Sequence, residues 1–249
     1  MSEGSKDKHD RYYAEPQDML VDFVFDSKVA SVFPDMIRRS VPGYETIISQ
    51  LSVFARQFAR NGSRIYDLGC STGASSIALA RGLNHLDHYE LLAIDNSVAM
   101  LESAKRNLQD RVNASLRLIC ADICDIAIVD ASVVCLNFTL QFIQPAQRSR
   151  LLRKIYQGLR PGAVLILSEK LCFDGIPEQR FMENMHLAFK RENAYSELEI
   201  AQKRTALENV LLPESLATHL TRLQECGFEQ IYPWFQDFNF VSIAAIKSA

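Results

Sequence analysis

The sequence lacks several features that would place it in a class at once. No apolar run reaches the roughly 20 residues that a membrane-spanning helix needs, and the polar opening MSEGSKDKHDRYYAEPQ has no apolar centre of the kind found in a signal peptide. No long run of Lys and Arg occurs, and the formal net charge is −3, which argues against a nonspecific nucleic-acid-binding protein. We therefore expect a soluble, cytoplasmic protein that does not act at a membrane.

Cysteine is present, but its spacing is typical of neither a metal site nor a disulfide framework. The six cysteines are scattered, and although Cys120 and Cys124 lie four residues apart, no second pair and no histidine cluster completes a zinc site. We expect reduced thiols, most of them in apolar segments, and no bound metal.

The order of strand-like and helix-like segments predicts the fold. The chain of 249 residues is 48% hydrophobic, which is enough for one large domain. Residues 1–18 carry charge and little to bury, so we predict a flexible N-terminal arm, with a single domain over residues 19–249. Strands and helices then alternate, which predicts a Rossmann-like α/β fold with a mostly parallel sheet.

Two parts of the chain depart from this alternation. Residues 171–212 are helical and charged in pattern, and we predict a helical insertion over the edge of the sheet. The segments EQIYPWFQ and NFVSIAAIK read as a hairpin, which gives a seven-stranded sheet whose last strand is antiparallel to its neighbours. An earlier segment, ASVVCLNFTLQF at residues 131–142, is predicted to be one continuous strand.

The stretch YDLGCSTGASS joins the first strand of this alternating region to a helix and has two interpretations. Its core matches G-x-S-x-G, the nucleophile elbow of α/β-hydrolases, with Ser71 as the nucleophile and His186 or His219 as its partner. An elbow normally follows several strands, however, and no HGGG-type segment precedes this one. We favour the second interpretation, a turn whose backbone amides approach a nucleotide-like ligand.

Acidic residues end three successive predicted strands. Asp67 ends the first strand, Asp95 follows about 20 residues after the glycine turn, where a carboxylate binds ribose hydroxyls, and Asp122 ends the third strand, within reach of an adenine amino group. Each of these acids alone could equally be a helix cap or a solvated strand end. The turn lacks the second and third glycines of the dinucleotide fingerprint, and a carboxylate beside a diphosphate would repel it, so NAD fits less well than a ligand with an amino-acid cation. The set resembles the class I S-adenosylmethionine (SAM)-dependent methyltransferase fold, which implies SAM as the ligand.

Longer phrases are more specific than this fold. The phrases VPGYETIIS, YDLGCSTGA, AIDNSVAML, LLRKIYQGLRPGAVLILSEK and ENAYSELEIAQKRTALENVLLPES resemble the carboxy-S-adenosyl-L-methionine synthase family, from about Val21 to Lys247. The resemblance implies that prephenate supplies a carboxyl group to the methyl carbon of SAM, giving carboxy-SAM and phenylpyruvate. It also implies a homodimer, and a product handed to a separate tRNA carboxymethyltransferase that modifies the wobble uridine. The protein itself would then need no direct contact with tRNA.

The resemblance also assigns binding residues for SAM. It places the glycine turn against the ligand, one pair of residues at the ribose, one pair at the adenine, a contact after the fourth strand and a tyrosine that closes over the ligand. These residues are, in that order, Gly69, Cys70 and Ser71; Asp95 and Asn96; Asp122 and Ile123; Asn137; and Tyr44. Taken alone, Tyr44 is equally well explained as a packing residue at the start of a helix.

A second helix carries a candidate carboxylate-binding residue. Ser196 and Glu199 form a capping box, so a helix begins there. Ile200 and Leu207 lie on one stripe of that helix, and Arg204 continues the stripe, so we predict that Arg204 faces the interior and binds a carboxylate there. An internal salt bridge to a nearby glutamate is the alternative. The resemblance assigns Arg204 to the carboxylate of the product.

The sequence leaves the chemistry open at several points. Glu169 and Lys170 end a predicted strand, where a pocket, a surface position or an ion pair are all compatible with the pattern. No side chain stands out as a general base. Two other functions share the SAM-binding residues: an ordinary SAM-dependent methyltransferase acting on a small acid or on tRNA, and a noncatalytic SAM-binding partner subunit.

Overall fold

A seven-stranded sheet forms the centre of the protein. A computed structural model describes residues 9–15, 23–109, 111–112 and 115–248. The strands are β1 (Ser63–Leu68), β2 (Tyr89–Asp95), β3 (Leu116–Cys120), β4 (Ala131–Asn137), β5 (Leu159–Lys170), β6 (Gln230–Asp237) and β7 (Phe240–Ile246). Their order across the sheet is β3-β2-β1-β4-β5-β7-β6. Strands β1 to β5 pair in parallel and β7 is antiparallel to both of its neighbours, which confirms the predicted topology.

Helices cover the sheet and fill the predicted insertion. They are α1 (Ser27–Ser40), α2 (Tyr44–Phe58), α3 (Ala74–Gly82), α4 (Val98–Leu108), α5 (Pro145–Gly158), α6 (Ile176–Glu192), α7 (Glu197–Leu207) and α8 (Leu216–Glu225). Helices α6 and α7 occupy residues 171–212, where the sequence predicts a helical insertion. Within the described ranges, no helix combines the length and the apolar character needed to cross a membrane.

The central strands are largely apolar because both faces of the sheet are covered there. In β4, Val134 and Leu136 pack into a cluster with residues of α5 and α8, whereas Val133 and Cys135 pack on the opposite face with residues of α2 and α3. All four side chains are fully buried. Burial on both sides of a parallel sheet removes apolar area from water at about 25 cal/mol per Å², and this fixes the sheet between its two helical layers.

The topology creates a crevice at one edge of the sheet. Strand β1 pairs with β2 on one side and with β4 on the other, so the chain proceeds in opposite directions from this central pair. Helices that cross to opposite faces leave a gap beyond the carboxyl ends of the two strands. The glycine turn after β1 and the segment after β4 both open into that gap.

The N-terminal segment differs from its predicted description. Residues 9–15 are packed against the fold: Asp10 is 2% exposed and Tyr13 is 5% exposed. The Tyr195 hydroxyl donates a hydrogen bond of 2.5 Å to the Asp10 carboxylate. For these residues the expectation of an arm with little to bury is wrong, because a charged side chain can be buried once a distant polar group pairs with it. The rest of the predicted arm lies outside the described residues.

The strand predicted over residues 131–142 is shorter in the structure. Strand β4 ends at Asn137, and Phe138 has a positive φ of 59°, which turns the chain away from the sheet. A short 3₁₀-helix follows over Leu140–Phe142. Its Leu140 and Gln141 amides donate to the buried Glu169 carboxylate, at 2.9 and 2.8 Å. The carboxylate thus satisfies amides that have no partner within so short a helix.

Candidate active site

A cavity of about 750 Å³ opens at the carboxyl ends of β1 and β4. It lies at the predicted crevice and has the size of a typical small-molecule site. Apolar side chains from α1 and from the segment after β4 form much of its wall. The ionisable side chains in the described wall are Tyr44, Cys70, Asp95, Asp122 and Lys203.

The turn between β1 and α3 needs glycine for steric reasons. Gly69 has a φ of 80° and Gly73 a φ of 90°, and Ser71 between them has a φ of 49°. A Cβ atom at Gly69 would lie 2.4 Å from both Cγ2 and Oγ1 of Thr139. The Gly69 and Cys70 amides donate to the Ile94 carbonyl, which ties the turn to β2. The result is a rigid turn whose backbone lies against the cavity.

Asp95 ends β2 with its carboxylate held by two backbone amides. Oδ2 accepts from the Ser71 amide and Oδ1 from the Ser97 amide, both at 2.9 Å. A carboxylate has about four acceptor positions, so it retains positions for two further donors, as a ribose diol requires. Burial raises the pKa of Asp95, while the amide hydrogen bonds act in the opposite direction. Asn96 follows at the exposed rim of the same cavity.

The segment after β3 forms a second part of the wall. Asp122 is exposed, and its Oδ1 accepts from the Cys124 amide at 2.7 Å. Ile123 is 5% exposed and lines the cavity beside it. An apolar side chain next to a carboxylate provides a surface for a flat base together with an acceptor for an amino group.

Asn137 presents an unpaired acceptor. Its Nδ2 donates to the Ser75 hydroxyl at 3.1 Å, whereas Oδ1 is buried and has no hydrogen-bond partner among the described residues. A buried amide oxygen without a donor costs free energy, and an ammonium group in the cavity would supply that donor. Together with the Gly69 turn and the Asp95 carboxylate, this atom fits SAM, whose methionine part carries such a group.

Tyr44 begins α2 and lines the cavity, as the resemblance implies. Its ring centroid lies 6.3 Å from that of Phe138. Burial and the nearby Asp67 raise the pKa of Tyr44, so the hydroxyl stays protonated at neutral pH. It packs against Phe138, and its hydroxyl can donate a hydrogen bond but does not act as a base.

Asp67 differs from its predicted placement. It is fully buried and is not part of the cavity wall. Oδ2 accepts from the Ser76 hydroxyl at 2.5 Å, beneath the start of α3, and burial raises the pKa of Asp67 to about 7. The strand end places this side chain behind the glycine turn, where it accepts a hydrogen bond from the start of α3 and supports the turn.

Arg204 also differs from its predicted placement. The buried face of α7 consists of Glu199, Ile200, Gln202, Lys203 and Ala206. Arg204 is exposed and does not line the cavity, so its predicted inward orientation is wrong. A helical residue lies about 100° around the axis from the one before it, and the apolar stripe used for the prediction is rotated by one position from the face that is buried.

Lys203, the residue before Arg204, faces the interior of the protein. It is 5% exposed and lines the cavity. Its Nζ donates to the Ser40 hydroxyl at 2.8 Å and lies 3.8 Å from the Asp10 carboxylate. Burial lowers its pKa to about 8, with Asp10 opposing the shift, so the amine remains a cation at neutral pH. No local sequence signal marks Lys203, because the residues that share its buried face, Glu199 and Ala206, do not form an apolar stripe.

The hydrolase interpretation has no support in the geometry. The Ser71 hydroxyl donates to the Met100 sulfur at 3.4 Å. His186 hydrogen-bonds the Ser40 carbonyl at 2.8 Å, and His219 is buried with neither ring nitrogen paired among the described residues. A nucleophile needs a base within hydrogen-bond reach, and Ser71 has none. No group of three or more metal-ligating side chains occurs in the part of the chain that the structure describes.

Comparisons with known proteins identify the fold. A family described as "Methyltransferase domain" matches residues 65–162. The structure of human N-acetylserotonin methyltransferase in complex with SAM gives a TM-score of 0.57 at 15% identity, covering 90% of this chain and 56% of that one. The SAM-dependent methyltransferase SibL gives 0.59 at 17% identity, covering 88% and 57%. These likenesses establish the class I SAM-dependent methyltransferase fold.

Sequence relatives identify the family within this fold. The carboxy-S-adenosyl-L-methionine synthase of Photobacterium profundum is 52% identical over 96% of this chain and 98% of its own length. The enzyme of the same name from a Geobacter species is 50% identical over 96% and 99%. Because the identity extends over nearly the whole of both chains, the chain belongs to the carboxy-S-adenosyl-L-methionine synthase family.

Proposed function

We propose that the protein transfers the ring carboxyl group of prephenate to the methyl carbon of SAM. As a member of its family the chain is a transferase, with SAM as its substrate and carboxy-SAM as its product. The finer assignment of prephenate as carboxyl donor and phenylpyruvate as second product is the proposal made here.

The charge distribution of the cavity carries this proposal. Asp95 at the end of β2 and Asp122 after β3 line the cavity, and Lys203 enters it from α7. The wall also contains Phe33, Met36 and other apolar side chains. A buried ammonium group beside apolar walls favours a small substrate with a carboxylate and a ring, and prephenate has both.

The reaction balances without an added reagent. Prephenate loses its ring carboxylate as CO2 and its ring hydroxyl as hydroxide, which makes the ring aromatic. The SAM methyl group loses a proton to that hydroxide, giving water, and the resulting sulfonium ylide forms a bond to CO2. The protein contributes confinement of the partners and exclusion of water. We assign no side chain as general base, because each ionisable group in the described wall already has a binding or packing role.

We propose that the ligand-binding roles follow the family resemblance at the residues that the cavity exposes. Asp95 with Asn96 would bind the ribose, and Asp122 with Ile123 would hold the adenine. The turn at Gly69, Cys70 and Ser71, together with Asn137 and Tyr44, would surround the methionine part and the sulfonium. Asp67 would support the turn from behind.

Arg204 enters this scheme from outside the cavity wall. Burial lowers the pKa values of Lys170 and Lys190 and the charge of Arg204 adds to both shifts, so Arg204 lies near those side chains although it is exposed. We propose that it binds the carboxylate of the product from the outer side, while Lys203 acts from within. Binding of a carboxylate by an arginine fork is geometrically specific, which would separate the product from SAM.

We further propose a cytoplasmic homodimer whose product passes to a tRNA carboxymethyltransferase. Ile176 and Phe181 of α6 are 74% and 58% exposed, and a second copy over the inserted helices would cover them. The six cysteines are free, which suits a reducing compartment. The net charge of −3 provides no general attraction to tRNA.

The test is mass spectrometry of the small molecules before and after adding prephenate to the purified protein with SAM. The expected product is heavier than SAM by the mass of CO2, and phenylpyruvate appears in equal amount. An ordinary methyltransferase would give only SAM and its demethylated form, with no heavier species. A noncatalytic subunit would give no product even in a single turnover.

A further inference from the structure

A group of cationic and histidine side chains lies beside the inner wall of the cavity. Lys170 ends β5, His186 and Lys190 lie one turn apart on α6, and Lys203 comes from α7. We refer to Lys170, Lys190 and Lys203 as the lysine cluster. Three consecutive elements, β5, α6 and α7, each contribute to this group.

Contacts of His186, which lies one turn before Lys190, bring α6 next to Lys203 and to the end of β5. His186 hydrogen-bonds the Ser40 carbonyl, and the Lys203 amine donates to the Ser40 hydroxyl, each at 2.8 Å. The His186 ring packs edge-on against Phe240 with centroids 5.0 Å apart, and Phe240 is the partner of Lys170 across β5 and β7. Ser40 and Lys203 both line the cavity, which connects the lysine cluster to the SAM site.

Lys190 is a largely buried cation. It is 8% exposed, and its amine makes no hydrogen bond or salt bridge among the described residues. Burial, together with the charges of Lys203, Lys170 and Arg204, lowers its pKa to about 7. A largely buried ammonium group without a carboxylate beside it is costly, so this position favours binding of an anion.

The acids near the lysine cluster are engaged by other groups. Asp10 is 3.8 Å from the Lys203 amine and also accepts from the Tyr195 hydroxyl. Glu183 acts on Lys170 from within α6 and already accepts from Gln179. Glu199 acts on Lys203 and accepts from the Ser196 amide and hydroxyl. None of these carboxylates forms a hydrogen bond with Lys190, so the Lys190 amine is available to an anion from outside the chain.

We propose that Lys190, together with Lys170 and Lys203, forms an anion subsite that binds a carboxylate of a dicarboxylate substrate. This rests on the proposed function, in which the carboxyl donor has two carboxylates. One of them would react near the sulfonium, and the lysine cluster would hold the other. Lys190 is then a substrate-binding residue that determines the choice of donor and makes no contact with SAM.

The experiment uses full-length protein saturated with S-adenosylhomocysteine. Prephenate and, separately, malonate as a plain dicarboxylate are titrated by calorimetry into the wild type, Lys190→Met, Lys190→Arg and Arg180→Met. Methionine keeps much of the apolar stem and removes the charge. Arg180 is an exposed cation of the same helix, so Arg180→Met is the matched control for loss of one charge. Steady-state assays give KM for prephenate and for SAM.

The subsite predicts that Lys190→Met weakens prephenate binding about tenfold to a hundredfold, the effect of losing one charge-assisted hydrogen bond. KM for prephenate should rise similarly while KM for SAM stays unchanged. Lys190→Arg should recover most of the affinity, and Arg180→Met should resemble the wild type. Lys170→Met serves as a second variant if Lys190→Met does not fold.

The experiment distinguishes failure of the anion subsite from failure of the proposed function. If the wild type converts prephenate but Lys190→Met and Lys170→Met bind prephenate normally, the subsite is overturned and the proposed function stands. If the wild type forms no carboxy-SAM from prephenate, the proposed function fails. Malonate binding then decides the subsite: binding that depends on Lys190 supports it, and binding that is absent or independent of Lys190 overturns it.

Discussion

Replacing Gly69 with alanine tests whether the turn against the cavity is fixed by steric contact. The new Cβ would lie 2.4 Å from Thr139 Cγ2 and Oγ1, and the residue would keep a φ of 80°. A left-handed conformation costs an L-residue about 1–2 kcal/mol, and overpacking costs about 1–3 kcal/mol. We therefore expect Gly69→Ala to lower the free energy of unfolding by about 2–5 kcal/mol.

A second substitution separates the two contributions. Thr139→Ala removes both atoms that lie at 2.4 Å and leaves the Thr139 Cβ at 3.0 Å. In the double variant the overpacking cost should largely disappear while the backbone cost remains. Gly62→Ala is the matched control, because Gly62 also has a positive φ, 69°, and a Cβ there meets nothing within 4 Å.

Urea unfolding of the wild type, both single variants, the double variant and Gly62→Ala measures these effects. We expect Gly62→Ala to cost only about 1–2 kcal/mol, and Gly69→Ala with Thr139→Ala to show a coupling of about 1–3 kcal/mol. Additive effects of the two substitutions, within about 0.5 kcal/mol, would refute the proposed contact. Equal costs at Gly62 and Gly69 would refute it as well.

Three further predictions concern the ligand and the buried acids. Asp95→Ala should weaken SAM binding about tenfold to a hundredfold by calorimetry, because a charged acceptor is lost; unchanged affinity would exclude Asp95 from the site. Arg204→Ala should abolish the preference for carboxy-SAM over SAM while leaving SAM affinity largely intact, measured by competition between the two; a retained preference would contradict the proposed role. The pKa of Asp67 is raised from 3.8 to about 7. Between pH 3.8 and about pH 7 the folded protein therefore holds a proton on Asp67 that the unfolded chain has released. Its stabilising contribution is complete below pH 3.8 and is lost as pH rises through about 7. As pH rises from about 5 to about 8, the free energy of unfolding of the wild type should fall, and Asp67→Asn should remove about 2–3 kcal/mol of that fall. The control Asp174→Asn, at an exposed position, should keep the pH profile of the wild type. Identical pH profiles of the two variants would contradict the assignment.

The wrong prediction for the buried face of α7 has a physical cause. Arg204 and Lys203 are adjacent cations in α7, and only packing decides which one is buried. Lys203 can be buried because the Ser40 hydroxyl accepts its hydrogen bond and Asp10 lies 3.8 Å away. Both partners are more than 150 positions distant in sequence, so no local pattern could have revealed them.

The sequence by itself determined the order of strands and helices, the antiparallel last strand and the positions of Asp95 and Asp122. Periodicity and strand-end position are local properties, and a parallel sheet brings its carboxyl ends to one edge whatever the packing details. Only the tertiary structure decided that Asp67 lies behind the turn, that Lys203 enters the cavity and that Lys190 is largely buried. Burial of a charge depends on groups contributed by other elements, and those groups meet only when the chain is folded.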